Sequence, residues 1–357
     1  MIFRADASLQ IGTGHVMRCL ALADGLRAHG ANCRFLCREH PGNLIDLICR
    51  RGHEVRALPA DGAIAAAPPY AAWLGTDWAT DAAQSKAGAG DTLPDWLIVD
   101  HYALDADWER ALRPSCRHLM VIDDLADRPH DCDLLLDQNL GRQATDYAGL
   151  ITGGCEVLAG PEYALLRPEF ATLRPHSIAR RARPALRRLL IGMGGVDKDN
   201  ASGKVLDALN GCPLPADCCI TVVLGAHAPW LAQTRDRAAR MPWPTEVLVD
   251  VENMAWLLAE SDVAIGAAGT SAWERCCLGV PTLTMALAAN QQAGAAALEA
   301  AGCALPLPGY DLARELRDGI SRLLSPEAMQ TMQNACAATT AGDGVDRLTN
   351  ILLHVDD

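Results

Sequence analysis

Ile11-Gly12-Thr13-Gly14-His15-Val16-Met17-Arg18 follows a short apolar run, Met1-Ile2-Phe3, and leads directly into an amphipathic helical pattern over residues 15–29. A strand, a glycine-rich turn and a helix in that order turn unpaired backbone N–H groups toward whatever lies beyond the strand. The positive end of the helix dipole faces the same way, so the arrangement receives anions, phosphate above all. Here an imidazole stands on the first helical turn. A helix N-terminus disfavours an added positive charge, so His15 is expected to serve as a base. Gly14 lets a ligand approach the backbone. Arg4, Asp6 and Arg18 are candidates to position the base or touch the phosphate, with ordinary surface pairing as the competing reading.

The same rhythm runs outward from this octet. Strand-like runs occur at residues 1–5, 34–37, 54–58, 96–100, 119–123 and 134–137, with helical patterns at 15–29, 43–51 and 105–112 between them. Residues 119–122, Leu-Met-Val-Ile, are apolar without a break, as expected of a strand buried on both faces. A second series has strands at 189–192, 220–224, 246–249, 263–266, 282–285 and 304–306. Its helices are expected at 201–209, 230–240, 254–260, 271–278 and 291–301, and three more helical patterns, 312–324, 327–340 and 345–354, close the chain. Alternation of this kind predicts α/β architecture: two Rossmann-like, doubly wound domains facing across a cleft. The expected boundaries are residues 1–166 for the first domain and 189–340 for the second. Residues 341–357 form a C-terminal helix. Residues 167–188, rich in arginine and carrying Pro168, Pro175 and Pro184, read as a surface connection and hinge. Residues 60–92 are rich in Ala and Gly and weakly patterned.

Two more glycine-rich turns lie at strand ends, where open α/β sheets place their ligands. In Gly266-Ala267-Ala268-Gly269-Thr270-Ser271-Ala272-Trp273-Glu274, Ser271 and Glu274 have the spacing of a helix capping box. The alternative is a nucleotide-sugar site: Gly269, Thr270 and Ser271 offer amides to a diphosphate, and Glu274 accepts from ribose hydroxyls. Gly192-Met193-Gly194-Gly195-Val196-Asp197 could let a ligand approach Gly194 and Gly195, or be a tight turn capped by Asp197 or Asn200. Asp100-His101-Tyr102 ends a strand on the same side as the His15 loop, so Tyr102 or His101 could touch a sugar. Asn290 and Gln291 could read sugar substituents or cap a helix. Asp123-Asp124 resembles a metal pair but lacks a third ligand at a telling spacing, and reads as a strand end.

Composition narrows the function. The chain has 357 residues, half of them hydrophobic and 21% charged, which is ample for large cores. A net charge of -13 argues against a nucleic-acid partner, since a phosphate backbone demands a basic surface. The 14 cysteines include no C-x-x-C pair and read as small buried hydrophobes in a reducing, cytoplasmic compartment. No apolar stretch is long enough to span a membrane and no leader pattern opens the chain. No metal and no cofactor are expected, and a monomer or weak dimer is.

The pieces together resemble a known family. They are residues 11–18, Asp100–Tyr102 with Trp108-Glu109, residues 122–125, residues 134–139 and Gly160-Pro161-Glu162-Tyr163-Ala164-Leu165-Leu166-Arg167-Pro168-Glu169-Phe170. The Gly194-Gly195 turn and residues 266–274 with Asn290-Gln291 complete the set. The combination is similar to the UDP-2,4-diacetamido-2,4,6-trideoxy-β-L-altropyranose hydrolases of pseudaminic acid synthesis, which lead toward flagellin glycosylation. The resemblance implies the two-domain architecture of MurG-like glycosyltransferases and a UDP-sugar substrate. It implies hydrolysis with inversion, His15 as base and Glu274 on ribose. Ala267-Ala268 and Trp273 depart from many relatives, which touches the uracil and ribose contacts. The competing readings are an inverting glycosyltransferase and a non-catalytic nucleotide-sugar binder.

Overall fold

A computed structural model describes residues 1–60 and 70–354. Two compact units divide the chain: residues 1–165 with the helix Gly344–Leu353, and residues 166–343. The first unit holds β1 (Ile2–Ala5), β2 (Arg34–Arg38), β3 (Glu54–Leu58), β4 (Trp96–Asp100), β5 (His118–Ile122), β6 (Leu134–Asp137) and β7 (Glu156–Ala159). They form one parallel sheet in the order β3-β2-β1-β4-β5-β6-β7. The second holds β8 (Arg188–Gly192), β9 (Cys219–Leu224), β10 (Thr245–Val249), β11 (Val263–Ala267), β12 (Thr282–Met285) and β13 (Ala304–Pro306). Its order is β10-β9-β8-β11-β12-β13, also parallel.

Both faces of the first sheet are covered at its centre, which is why β4, β5 and β6 are almost wholly apolar, while the edge strands β3 and β7 carry exposed charges. Phe3 and Ile98 pack into one apolar cluster with Val16, Leu20 and Phe35. Ile2, Leu97 and Val99 point into the opposite cluster with Trp108 and Leu119. Each sheet reverses its winding once, between β1 and β4 and between β8 and β11. The loops after those strands therefore diverge and leave a crevice at their carboxyl ends.

Four features differ from the sequence expectation. β7 was not anticipated, because Glu156-Val157-Leu158-Ala159 is short and opens on a charge. Residues 167–188 do not form a loose connection: Pro168 starts a helix, Pro168–Arg180, that packs in the second unit with Phe170 and Ser177 buried. Two of its arginines are donors to the second unit's backbone, while Arg183, Arg187 and Arg188 remain exposed. Arg174 bonds the carbonyls of Cys277 and Ala337, and Arg181 bonds those of Leu258, Ala259 and Ser261. The last helix, Gly344–Leu353, joins the first unit. A Cβ on Gly25 would lie 2.5 Å from Val345 Cγ1, so Gly25 lets the helix Gly14–Ala28 meet it closely, and Trp96 Nε1 donates to the Leu352 carbonyl at 3.0 Å.

The weakly patterned stretch 60–92 holds the helix Trp78–Ala89, capped by Asp77, whose carboxylate accepts from the Thr80 N–H at 2.9 Å; residues 61–69 lie outside the described residues. This helix delivers Asp81 to the interior. Its carboxylate accepts from Arg4 Nη2 at 2.7 Å, Arg38 Nη2 at 2.5 Å, Trp108 Nε1 at 2.9 Å and Ser85 Oγ at 3.2 Å. Burial alone would raise its pKa, but Arg4 and Arg38 hold the carboxyl well below the usual range. Asp81→Ala would leave Arg38 without its carboxylate and Arg4 with Asp6 alone, at a cost of about 3–5 kcal/mol. Urea unfolding followed by circular dichroism should show that loss, and a midpoint within error of wild type would refute it.

Candidate active site

The reversal of strand order brings β1 and β4 side by side, with Ala5 paired to Asp100. The His15 turn follows the first and Asp100 ends the second, so residues 85 apart in sequence meet. His15 Nδ1 lies 2.6 Å from Asp100 Oδ1. A carboxylate accepts only, so Nδ1 donates, and in the neutral ring the lone pair lies on Nε2; the 3.4 Å approach of Arg18 Nη2 to the same Nδ1 is too long to reverse that. Nε2 has no hydrogen-bond partner among the described residues. Burial alone would raise the Asp100 pKa, but Arg18 and His15 hold it well below the usual carboxylate range, so it is ionised wherever the protein is folded near neutrality.

Arg18 is the keystone of this cluster and not an open phosphate ligand. Its Nε donates to Asp100 Oδ2 at 2.6 Å and its Nη2 to Asp100 Oδ1 at 2.7 Å, while Nη1 reaches Asp124 Oδ1 at 3.0 Å. Asp124 also accepts from the Tyr102 hydroxyl at 2.6 Å and Asn139 Nδ2 at 3.1 Å. Tyr102 stands edge-on to the imidazole, with ring centroids 4.6 Å apart. Its hydroxyl is thus committed to Asp124, and burial followed by the Asp124 charge pushes its pKa far up. Asp123 turns the other way, to Arg128 at 2.7 Å, Tyr147 and the N–H groups of Leu125 and Ala126. The adjacent aspartates therefore take different partners, and the two networks meet at Asp137, which accepts from both Tyr147 and Asn139.

Arg4 and Asp6, expected near the ligand, are wholly buried. Arg4 pairs with Asp6 at 2.7 Å and with Asp81, and Asp6 also accepts the Arg38 N–H at 2.7 Å. His101 is buried too; its Nδ1 accepts the Ala103 N–H at 3.1 Å, and burial pushes its pKa down to about 3. It stays neutral and structural. In the turn before the base, Ser8 Oγ accepts from the N–H groups of Gln10 and Ile11, so those amides serve the loop itself. Gly14 opens the helix, and Thr13 ahead of it makes no side-chain cap.

In the second unit, β8 and β11 likewise pair Gly192 with Gly266, which sets two of the glycine-rich turns side by side. They differ. Asp197 accepts from the N–H groups of Ala201 and Ser202 at 2.7 and 2.9 Å, so the helix Ala201–Leu209 is already capped. The Gly195 carbonyl accepts from the Gly225 N–H at 2.8 Å, and Gly194 is exposed. The expected capping box at the other turn does not form: Thr270 precedes the helix Ser271–Cys277 without a side-chain cap, and the Ser271 hydroxyl accepts from Arg275 Nη1 at 3.1 Å. Gln291 closes on this turn, its Oε1 accepting the Leu287 N–H at 2.9 Å while its Nε2 would lie 3.3 Å from a Cβ on Gly269. Gly269, Thr270, Ser271, Glu274, Asn290 and Gln291 are all half-buried, and Asn290 makes no hydrogen bond among the described residues. Desolvation pushes the Glu274 carboxyl up to about 7, against the pull of Arg167 and Arg275.

Three cysteines far apart in sequence, Cys276, Cys303 and Cys336, bring their sulfurs within 4.8 Å of one another in the second unit's interior. The adjacent-pair spacing in the sequence gives no hint of this grouping. Among the described residues no helix is long and apolar enough to cross a membrane.

The solved structure of MurG from Acinetobacter baumannii aligns over 99% of this chain and 98% of its own, with a TM-score of 0.71 at 15% identity. WaaG, a glycosyltransferase of lipopolysaccharide biosynthesis, aligns over 99% of both chains with a TM-score of 0.54, also at 15% identity. The fold is that of the two-domain GT-B glycosyltransferases. In sequence the chain is 27% identical over 266 residues to the UDP-2,4-diacetamido-2,4,6-trideoxy-β-L-altropyranose hydrolase of Campylobacter jejuni, across 74% of this chain and 83% of that protein. Two further curated relatives are spanned over 54% and 59% of their own lengths. No protein-family model matches the chain.

The Glu274 shift has a consequence for stability. The folded state holds a proton that the unfolded chain has released, so stability falls as pH rises from about 4.5 through about 7. Glu274→Gln removes that dependence. Its urea midpoint should exceed that of wild type at pH 8 and match it near pH 4.5; equal midpoints at pH 8 would show that the carboxylate is not destabilising.

Proposed function

We propose that this chain hydrolyses a UDP-linked 2,4-diacetamido-2,4,6-trideoxy hexose at the anomeric carbon, with inversion and release of UDP. The observation that carries the reading is the His15–Asp100 pair at 2.6 Å, which leaves Nε2 as a free base. The name of the Campylobacter relative supplies the substrate class.

Nε2 takes a proton from water as the water oxygen bonds to C1. The C1–O bond to the diphosphate breaks, and its electron pair leaves with UDP, which needs no general acid. Asp100 stabilises the imidazolium that forms and holds the ring in the required tautomer; Arg18 and Asp124 hold Asp100. Single displacement with one base accounts for inversion. In the second unit the uncapped turn Gly269-Thr270-Ser271 offers N–H groups to the diphosphate, and Glu274 meets the ribose hydroxyls. The capped helix behind Gly194-Gly195 contributes less, through backbone approach alone.

The glycosyltransferase neighbours favour one competing reading, transfer of the sugar to an acceptor. Purified protein incubated with the UDP-sugar alone, with UDP measured, separates the two. UDP release without acceptor supports hydrolysis, release only with an acceptor supports transfer, and binding without release marks a non-catalytic binder. His15→Ala should lose about 10²–10⁴-fold in turnover while still binding UDP. Near-wild-type turnover in that variant would remove His15 from the base role.

A further inference from the structure

We infer that Tyr70 and Trp73 form, with Tyr102, an apolar wall beside the His15 base, and that this wall is a binding subsite for a sugar bearing methyl groups on one face. The inference rests on the hydrolase reading for its substrate class. Trp73 stacks on Tyr102 with ring centroids 5.7 Å apart and planes 25° apart, and it stands 6.4 Å from the His15 ring. Tyr70 meets both edge-on, at 4.7 Å from Trp73 and 5.2 Å from Tyr102. Three aromatic rings thus gather on the imidazole in a site otherwise built of charges.

The wall is held from behind. Leu74, next to Trp73, is buried in the apolar cluster of the first unit with Leu36 and Leu58. Gly75 has φ +69°, and a Cβ there would lie 2.7 Å from His40 Cε1, so the chain turns sharply against His40 and Arg38. The Trp73 N–H donates to the Tyr70 carbonyl at 2.8 Å. Tyr70 itself has φ +69°, a conformation that a bulky side chain occupies only at a cost. Tyr70 and Trp73 nevertheless stay half-buried and outside both apolar clusters of this unit, so the core does not need them.

The chemistry of the wall selects its ligand. Tyr102 is buried, with its hydroxyl on Asp124, so the ring surface open to the site is that of Trp73 and Tyr70. Aromatic faces carry partial negative charge and favour C–H groups over hydroxyls. A hexose with acetamido groups at C2 and C4 and a methyl at C6 adds three methyl groups to its ring C–H groups, whereas N-acetylglucosamine adds one.

The test measures kcat and KM for wild type, Trp73→Ala, Trp73→Phe and Tyr70→Ala. The substrates are a UDP-2,4-diacetamido-2,4,6-trideoxy hexose and UDP-N-acetylglucosamine. Trp73→Ala should raise KM for the first sugar about 10-fold with kcat little changed, and narrow its preference over the second. Trp73→Phe should recover most of the loss. Unchanged KM in both Trp73→Ala and Tyr70→Ala, or an equal loss on both sugars, would overturn the inference. Should Trp73→Ala fail to fold by circular dichroism, Trp73→Phe and Tyr70→Ala decide by the same ratio. If wild type releases UDP from neither sugar, the hydrolase reading fails by itself. The wall is then judged by calorimetric affinity for each UDP-sugar against UDP, where a sugar-dependent gain absent from Trp73→Ala sustains it and no gain sinks it.

Discussion

Everything distinctive about this chain follows from one topological constraint: each parallel sheet reverses its winding once. Because β1 sits between β2 and β4, the loop after β1 and the end of β4 open onto the same side with no crossover helix between them. Backbone pairing of Ala5 with Asp100 fixes their separation to the spacing of neighbouring strands. His15 on the first helical turn then reaches the Asp100 carboxylate. The second sheet repeats the device at β8 and β11, where it joins two glycine-rich turns instead of a base and a carboxylate. The same geometry therefore yields two sites of different character, decided by what the sequence puts on the loops.

The first site is stabilised by charge pairing away from water. Asp100 and Asp81 are both fully buried carboxylates, tolerated because one guanidinium, Arg18, grips the first at both oxygens and two, Arg4 and Arg38, grip the second. The two differ in purpose. Asp81 spends all its acceptor capacity on Arg4, Arg38, Trp108 and Ser85, and ties strands to the helix Trp78–Ala89. Asp100 shares its Oδ1 between Arg18 and the imidazole, so its charge acts on a ring with a free nitrogen. Arg18 reaches both Asp100 and Asp124, and Asp124 fixes Tyr102, so the ring, its carboxylate and the aromatic neighbour are held as one unit.

Local patterning made most of the architecture legible. Apolar runs marked the central strands, where burial on both faces leaves no room for alternation, and the edge strands β3 and β10 read as strands despite their charges. The segment 167–188 misled for a physical reason: arginines count as surface in a pattern, yet Arg174 and Arg181 bond carbonyls of distant helices in the interior. Residues 60–92 misled similarly, since an Ala-rich helix with one buried aspartate has little periodic signal. At the site, His15, Glu274 and the Gly269 turn stood out by position. Asp100 and Asp124 were in view only as neighbours of Tyr102 and Asp123, and Tyr70 and Trp73 gave no signal.

The order of residues by itself determined two α/β units, three glycine-rich turns at strand ends and an imidazole on a helix start, because these depend on spacings of a few residues that local sterics and burial enforce. Which groups meet was decided only in three dimensions. The partner of His15 lies 85 residues away and the three convergent thiols lie 60 residues apart end to end. Arg4 and Asp6 turn from candidate ligands into interior ties because the helix Trp78–Ala89 brings Asp81 to Arg4. Long-range pairing is set by strand order and helix packing, and a linear pattern carries no record of either.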